Sequence, residues 1–146
     1  MISIELALKH MAWSNQLIFD EVSKLPEDIY GLRAADGEWP VGKILTHFIN
    51  AAEWYKYCAT GIDWEDSTPI RTHEVLRSEA LRLAKLDGII IEQATRGDEM
   101  GGRDLGRAIA SAVRQELRAQ KRAGDSLALL PGVYLSLQPS TLDELI

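Results

Sequence analysis

Val41, Ile44, Leu45, Phe48, Ile49 and Ala52 recur at i, i+3, i+4, i+7, i+8 and i+11. That spacing draws one apolar stripe down one helix. Pro40 suits the first turn of such a helix, where its missing N–H is not needed. Thr60-Gly61 supplies the signal that ends it. His47 lies at the margin of the stripe, one turn after Ile44 and one turn before Ala51, so it is expected to point toward a bundle interior. Trp54, Tyr55 and Tyr57 make the last turns aromatic, a cluster that suits core packing or a subunit contact better than a ligand box.

The flanking segments repeat the helical theme. Ile4, Leu8, Met11, Asn15, Ile18, Val22 and Leu25 follow 4-3 spacing, which predicts a first helix over about 3–24 packed along a seam. Asn15 is polar within that seam and must find a buried partner, which fixes helix register. Trp13 and Phe19 flank the seam and add packing area, and His10 lies off it, toward solvent. Leu25-Pro26 stops the helix, because proline disfavours helix at the residue before it. Residues 62–72 form a polar loop with Asp63, Glu65, Asp66 and Pro69, long enough for a crossover, and Trp64 is expected to fold back onto the body. A third helix starts after Thr72, with the stripe Leu76, Ala80, Leu83, Ile90 and Ala94. Asp87-Gly88 interrupts it, which predicts a close crossing or a kink. His73, at its start, is expected to face solvent.

Three glycines in 96–103 make a turn. Leu105, Ala108, Ile109, Ala112, Val113 and Leu117 then mark a fourth helix, with Glu116 and Gln120 placing polar groups along its edge. Arg114, Arg118, Lys121 and Arg122 read as a solvated face. From Leu127 onward, Pro131, Gly132 and Pro139 break up an apolar, irregular C-terminal tail. The expected architecture is a single all-α domain over residues 1–146, a four-helix bundle with a long crossover loop between helices 2 and 3.

Composition narrows the function. A net charge of −6 and a pI near 5.1 argue against nucleic acid as a partner, because phosphate binding needs a basic face. The loop acids lack the glycine and terminal Glu of a calcium loop. Cys58 stands alone and forms no internal disulfide. No basic leader precedes an apolar run, and no stretch approaches the ~20 apolar residues of a membrane span. These features predict a cytoplasmic protein with no membrane partner.

Ala12 to Asn15 reads AWSN, followed by apolar residues at helical spacing and a Leu-Pro stop. The second helix reads VGKILTHFINAAEWY, with a histidine in mid-stripe and aromatics one to two turns later. Arg118-Ala119-Gln120, before a Leu-rich stretch and a glycine, is a third and weaker element. Together these resemble the DinB/YfiT-like superfamily. The likeness covers most of the chain, and its specificity lies mainly in the first sixty residues.

The resemblance implies a four-helix bundle that is often a homodimer. It also implies a divalent metal such as zinc, nickel or iron held by three histidines. One comes from helix 2 and two from a His-x-x-x-His pair on helix 4, whose i and i+4 spacing lets both imidazoles reach one ion. Characterised members include transferases that use low-molecular-weight thiols, and others are classed as metal-dependent hydrolases. His47 matches the helix 2 ligand. Anchoring on Arg118 and Gln120 places Val113 and Leu117 where the other two histidines would stand, and no histidine follows His73. Glu116, one residue from the expected position, is the nearest alternative ligand. The candidate metal set is therefore His47 and Glu116, fewer than the three or more ligands a tight site usually needs. The C-terminal tail departs from the family pattern as well.

The sequence thus predicts a DinB-like protein with a degenerate metal site that binds a small molecule between its helices or serves as an interaction protein. Its alternative is a metal-dependent, thiol-linked transferase or hydrolase with a site rebuilt around His47, drawing on Glu116, Asn50 or Glu53. A third reading makes His47 a core histidine bonded to Asn15 or Glu116.

Overall fold

The computed structural model describes residues 4–96, 118 and 121–123. Among these residues the chain is helical and contains no strand. Helix α1 spans Ile4–Ser23, a short 3-10 helix spans Glu27–Gly31, α2 spans Val41–Thr60 and α3 spans His73–Arg96. Residues 118 and 121–123 have helical backbone. The rest of the expected fourth helix, including Glu116, and the C-terminal tail lie outside the described residues. No helix among the described residues is long and apolar enough to cross a membrane.

Local chemistry sets the end of α1, both ends of α2 and the start of α3. The N–H of Leu25 turns back to the Val22 carbonyl at 3.0 Å, and Pro26 then prevents continuation. Pro40 caps α2, its carbonyl accepting from Lys43 and Ile44. Gly61 closes α2 in the left-handed region, φ 74°, donating its N–H to Tyr57. Thr72 caps α3 through its side chain, which accepts from the Val75 N–H at 3.2 Å.

Leu8, Met11, Asn15, Ile18 and Val22, which the spacing selects, are buried in α1, and Ala7 and Ser14 are buried beside them. Phe19 joins them and meets Phe48 of α2, ring centroids 5.9 Å apart. Ile44, Leu45 and Ile49 from α2 and Leu76, Leu83 and Leu86 from α3 complete one cluster. Full burial of each such side chain is worth about 1.5–3 kcal/mol. Ala123 is wholly buried in the same cluster, so the 121–123 turn packs on this core. Trp13, by contrast, is 54% exposed and adds little to the seam.

Hydrogen bonds set the directions of the helices. Going down α1 from Leu25 to Gln16 to Asn15, the partners on α3 are His73, Ala80 and Asp87. These two helices are antiparallel. The α2–α3 pair runs the other way: Glu53 in α2 meets Arg82 in α3, while Gly42 lies against Ile70, just ahead of α3. So α2 and α3 are parallel, and the chain must return along α2 before α3 begins.

Residues 61–72 make that return as a strap. A helix of α2's length is about 30 Å long, and this stretch, fully extended, reaches about 40 Å. Lys56 bonds the Asp63 carbonyl at 3.0 Å, and Glu53 accepts from the Glu65 N–H at 3.1 Å. Ser67 donates to Asn50 at 2.6 Å, and Thr46 accepts from the Ile70 N–H at 3.0 Å. Side chains of α2 thus take up the Asp63 carbonyl and the Glu65 and Ile70 N–H groups of the strap, as buried backbone polar groups require. At its far end Ile70 is buried, and its carbonyl presses on Gly42, where no side chain intervenes.

Two expectations are corrected here. His73 does not face solvent. It is half-buried, with Nε2 2.6 Å from the Leu25 carbonyl and Nδ1 2.6 Å from the Tyr30 hydroxyl. A carbonyl can only accept, so Nε2 carries a proton, and in the neutral ring Nδ1 accepts from Tyr30. His73 thereby joins the end of α1, the 3-10 helix and the start of α3. Gly88 marks no close crossing either: a Cβ placed there meets nothing among the described residues, and α3 continues through it. The interruption in the stripe comes from Asp87, which is turned inward to meet Asn15.

Candidate functional site

Lys43, His47 and Asn50 stand at i, i+4 and i+7, so one face of α2 carries all three. That face lines an open cleft of about 450 Å³. The strap contributes the opposite wall through Pro69, Ile70 and Arg71, and Tyr30 enters from the 3-10 helix. The cleft exists because of the strap: with Ile70 seated on Gly42 and bonded to Thr46, the two walls are held a fixed distance apart.

His47 sits at the boundary between core and cleft. Its neighbours Ile44, Leu45 and Phe48 are buried, whereas His47 itself is half-buried. The imidazole meets Trp39 edge-on, with ring centroids 5.6 Å apart and planes at 71°. Burial holds its pKa below the usual histidine value, and the Arg122 guanidinium pushes it further down. The ring is therefore neutral near pH 7 and offers one N–H donor and one acceptor.

Trp39 is the hub of this region. The Lys43 ammonium lies 4.4 Å from the centre of its ring, and the Arg122 guanidinium carbon lies 5.6 Å away. Both distances are within cation–π range. Arg122, expected on a solvated face, is exposed yet placed over this indole. Among the described residues no carboxylate lines the cleft, and Lys43, Arg71 and Arg122 form no ion pair.

The acids have gone elsewhere. Glu53, considered from sequence as a neighbour of His47, is buried on another side of α2. It bonds Arg82 at 2.9 Å and Lys56 at 2.8 Å. Burial raises the pKa of its carboxyl, but the bonds from Lys56, Arg82 and the Glu65 N–H outweigh that and hold it below the usual value. Arg82 also bonds the carbonyls of Glu65 and Asp66, so this ion cluster ties down the strap. Asn15, the other partner considered for His47, bonds Asp87 at 3.1 Å. Of the described groups considered around His47, which leave out Glu116, Asn50 alone shares its cleft.

Among the described residues, His47 is the one His, Cys, Asp or Glu side chain that lines the cleft. No group of three or more His, Cys, Asp or Glu side chains gathers anywhere among the described residues. The same guanidinium charge that opposes a proton on His47 opposes a divalent cation beside it. Glu116 lies outside the described residues.

Sequence reasoning singled out His47 and Asn50 but passed over Trp39, Lys43, Arg71 and Tyr30. The one available signal was the i, i+4 pairing of Lys43 with His47 directly after Trp39-Pro40. Comparison with protein-family models, with curated proteins and with solved structures returns no match.

Proposed function

We propose that this chain is a DinB-like helical-bundle protein that binds a small molecule in the cleft beside His47, without the metal chemistry of the family. One observation carries the reading: the imidazole matched to the family's helix 2 ligand opens onto a cleft, with an indole at its edge and a guanidinium nearby. A volume of about 450 Å³ suits a small ligand. In this reading a fourth helix closes the bundle, supported by the helical turn at 121–123 and the full burial of Ala123 in the common core. A homodimer belongs to the same proposal, supported by the ring cluster of half-buried Tyr57 with exposed Trp54 and Trp64.

Metal content of the untagged protein by mass spectrometry, paired with NMR-detected zinc titration, tests the proposal. Zinc is expected to leave the His47 ring resonances without a saturable shift. A fragment screen is expected to move the Trp39 indole N–H and the Asn50 side-chain amide. Near-stoichiometric zinc, nickel or iron that is lost in His47→Ala and in Glu116→Ala would overturn it in favour of the metal-dependent transferase or hydrolase.

A further inference from the structure

We propose that the cleft is built for a small organic anion, a carboxylate or phosphate group on an apolar body, with Lys43, Arg71 and the His47 N–H receiving the charge. The inference rests on the small-molecule reading above and names the ligand chemistry.

Charge distribution is the first argument. The chain carries 22 acidic residues against 16 basic ones. A cleft on such a surface would by default include carboxylates, yet among the described residues this one is lined by a lysine, an arginine and a histidine without any. Glu53, the acid of α2, is withdrawn: it is buried and bonded to Arg82, as is Glu79 of α3, and the exposed Glu74 at the start of α3 does not line the cleft. Two cations lining one concave site with no counter-ion repel each other, and an anion relieves that repulsion.

Preorganisation is the second. The Lys43 ammonium is held over the Trp39 ring, so less side-chain freedom is lost when a ligand arrives. Ser67 bonds the Asn50 side-chain oxygen at 2.6 Å, which leaves the Asn50 amide donors without a partner among the described residues. Thr46 is fully engaged, donating to Gly42 and accepting from Ile70, and serves as fixed wall. The cleft also lies at the N-terminal turns of α2, where the helix dipole favours negative charge. Donors of Lys43, Arg71, His47 and Asn50 therefore line one cleft that no described carboxylate lines. Pro69, Ile70 and Trp39 supply the apolar surface that a bare inorganic ion would not use.

The test is an NMR-detected titration of the full chain with three probes: 2-naphthoate, 1-naphthyl phosphate and the neutral 2-naphthamide. At least one anion should shift the Trp39 indole N–H, the Asn50 side-chain amide and the Arg71 backbone amide, and bind about tenfold or more tighter than the amide. Which anion binds tighter separates a carboxylate site from a phosphate site. Raising salt from about 50 to about 300 mM should weaken the anions and spare the amide. Lys43→Gln and Arg71→Gln, both at exposed positions, should each weaken the preferred anion by about three- to tenfold without lowering the melting temperature. Equal binding of the naphthamide overturns the anion inference and leaves the small-molecule reading standing. Absence of any shift at the cleft with all three probes overturns both.

Discussion

The side-chain amide of Asn15 donates to the Asp87 carboxylate at 3.1 Å, across the α1–α3 interface and out of reach of solvent. Burial drives the Asp87 carboxyl up to about 7, and the Asn15 hydrogen bond opposes that shift without cancelling it. A polar pair in an apolar seam costs stability but specifies register, since sliding α1 along α3 would strand both groups.

That shift gives stability a definite pH dependence. In the unfolded chain Asp87 loses its proton near its ordinary value of 3.8, whereas the folded chain keeps the proton until about 7. Between these values the folded state binds more protons, so this group's contribution falls as pH rises, by up to about 1.4 kcal/mol per pH unit. Above about pH 7 its loss is complete. Asp87→Asn, which still accepts from Asn15, should flatten urea-measured stability between pH 4.5 and 7 and raise it at pH 8. An unchanged slope would sink this account.

Glu53 predicts the opposite sign. Its carboxyl is held below the ordinary value, so its contribution is present above about pH 4.5 and is lost as pH falls through the folded-state value. Glu53→Gln keeps the shape but takes the counter-charge from Lys56 and leaves Arg82 only the longer pair with Glu79 at 3.5 Å. The substitution should cost about 2–4 kcal/mol at pH 7, with the difference from wild type shrinking in acid. Denaturant unfolding at pH 7 and pH 3.5 checks both parts, and equal stability at pH 7 would refute the clamp.

Gly42→Ala should destabilise even though alanine is the better helix former by about 1 kcal/mol. The new Cβ would collide with the Ile70 carbonyl and stand 3.1 Å from the Tyr30 carbonyl, both backbone atoms that cannot swing aside. A net loss of about 2 kcal/mol is expected, with faster hydrogen exchange at the Ile70 amide as the strap lifts from Thr46. A melting temperature equal to or above wild type would show that the contact yields.

How much of this was legible in the sequence depended on periodicity. The bounds of α2 and the start of α3 follow from apolar spacing, Pro40, Gly61 and Thr72, all local signals. The need of Asn15 for a buried partner was equally plain, but its identity was not, because Asp87 is remote in sequence and looked like a break in its own stripe. Trp39 and Arg71 lie outside the periodic segments, so no pattern marked them as walls of a cleft. His73 was misread because a helix start is usually wet, and only the 3-10 helix brings Tyr30 and the Leu25 carbonyl around it. His47 was expected to point inward, but the stripe's margin is where core gives way to cleft.

The strap also bears on the order in which the chain assembles. Its contacts with α2 span growing separations along the chain: 7 residues for Lys56–Asp63, 12 for Glu53–Glu65, 17 for Asn50–Ser67 and 24 for Thr46–Ile70. Each bond closes a loop only slightly larger than the last, and the entropy of enlarging a loop grows slowly with its length. A parallel helix pair would otherwise require one costly long-range encounter before any contact rewarded it. Here the chain can zip itself back to the start of α2 in small steps, delivering α3 beside its neighbour at the end.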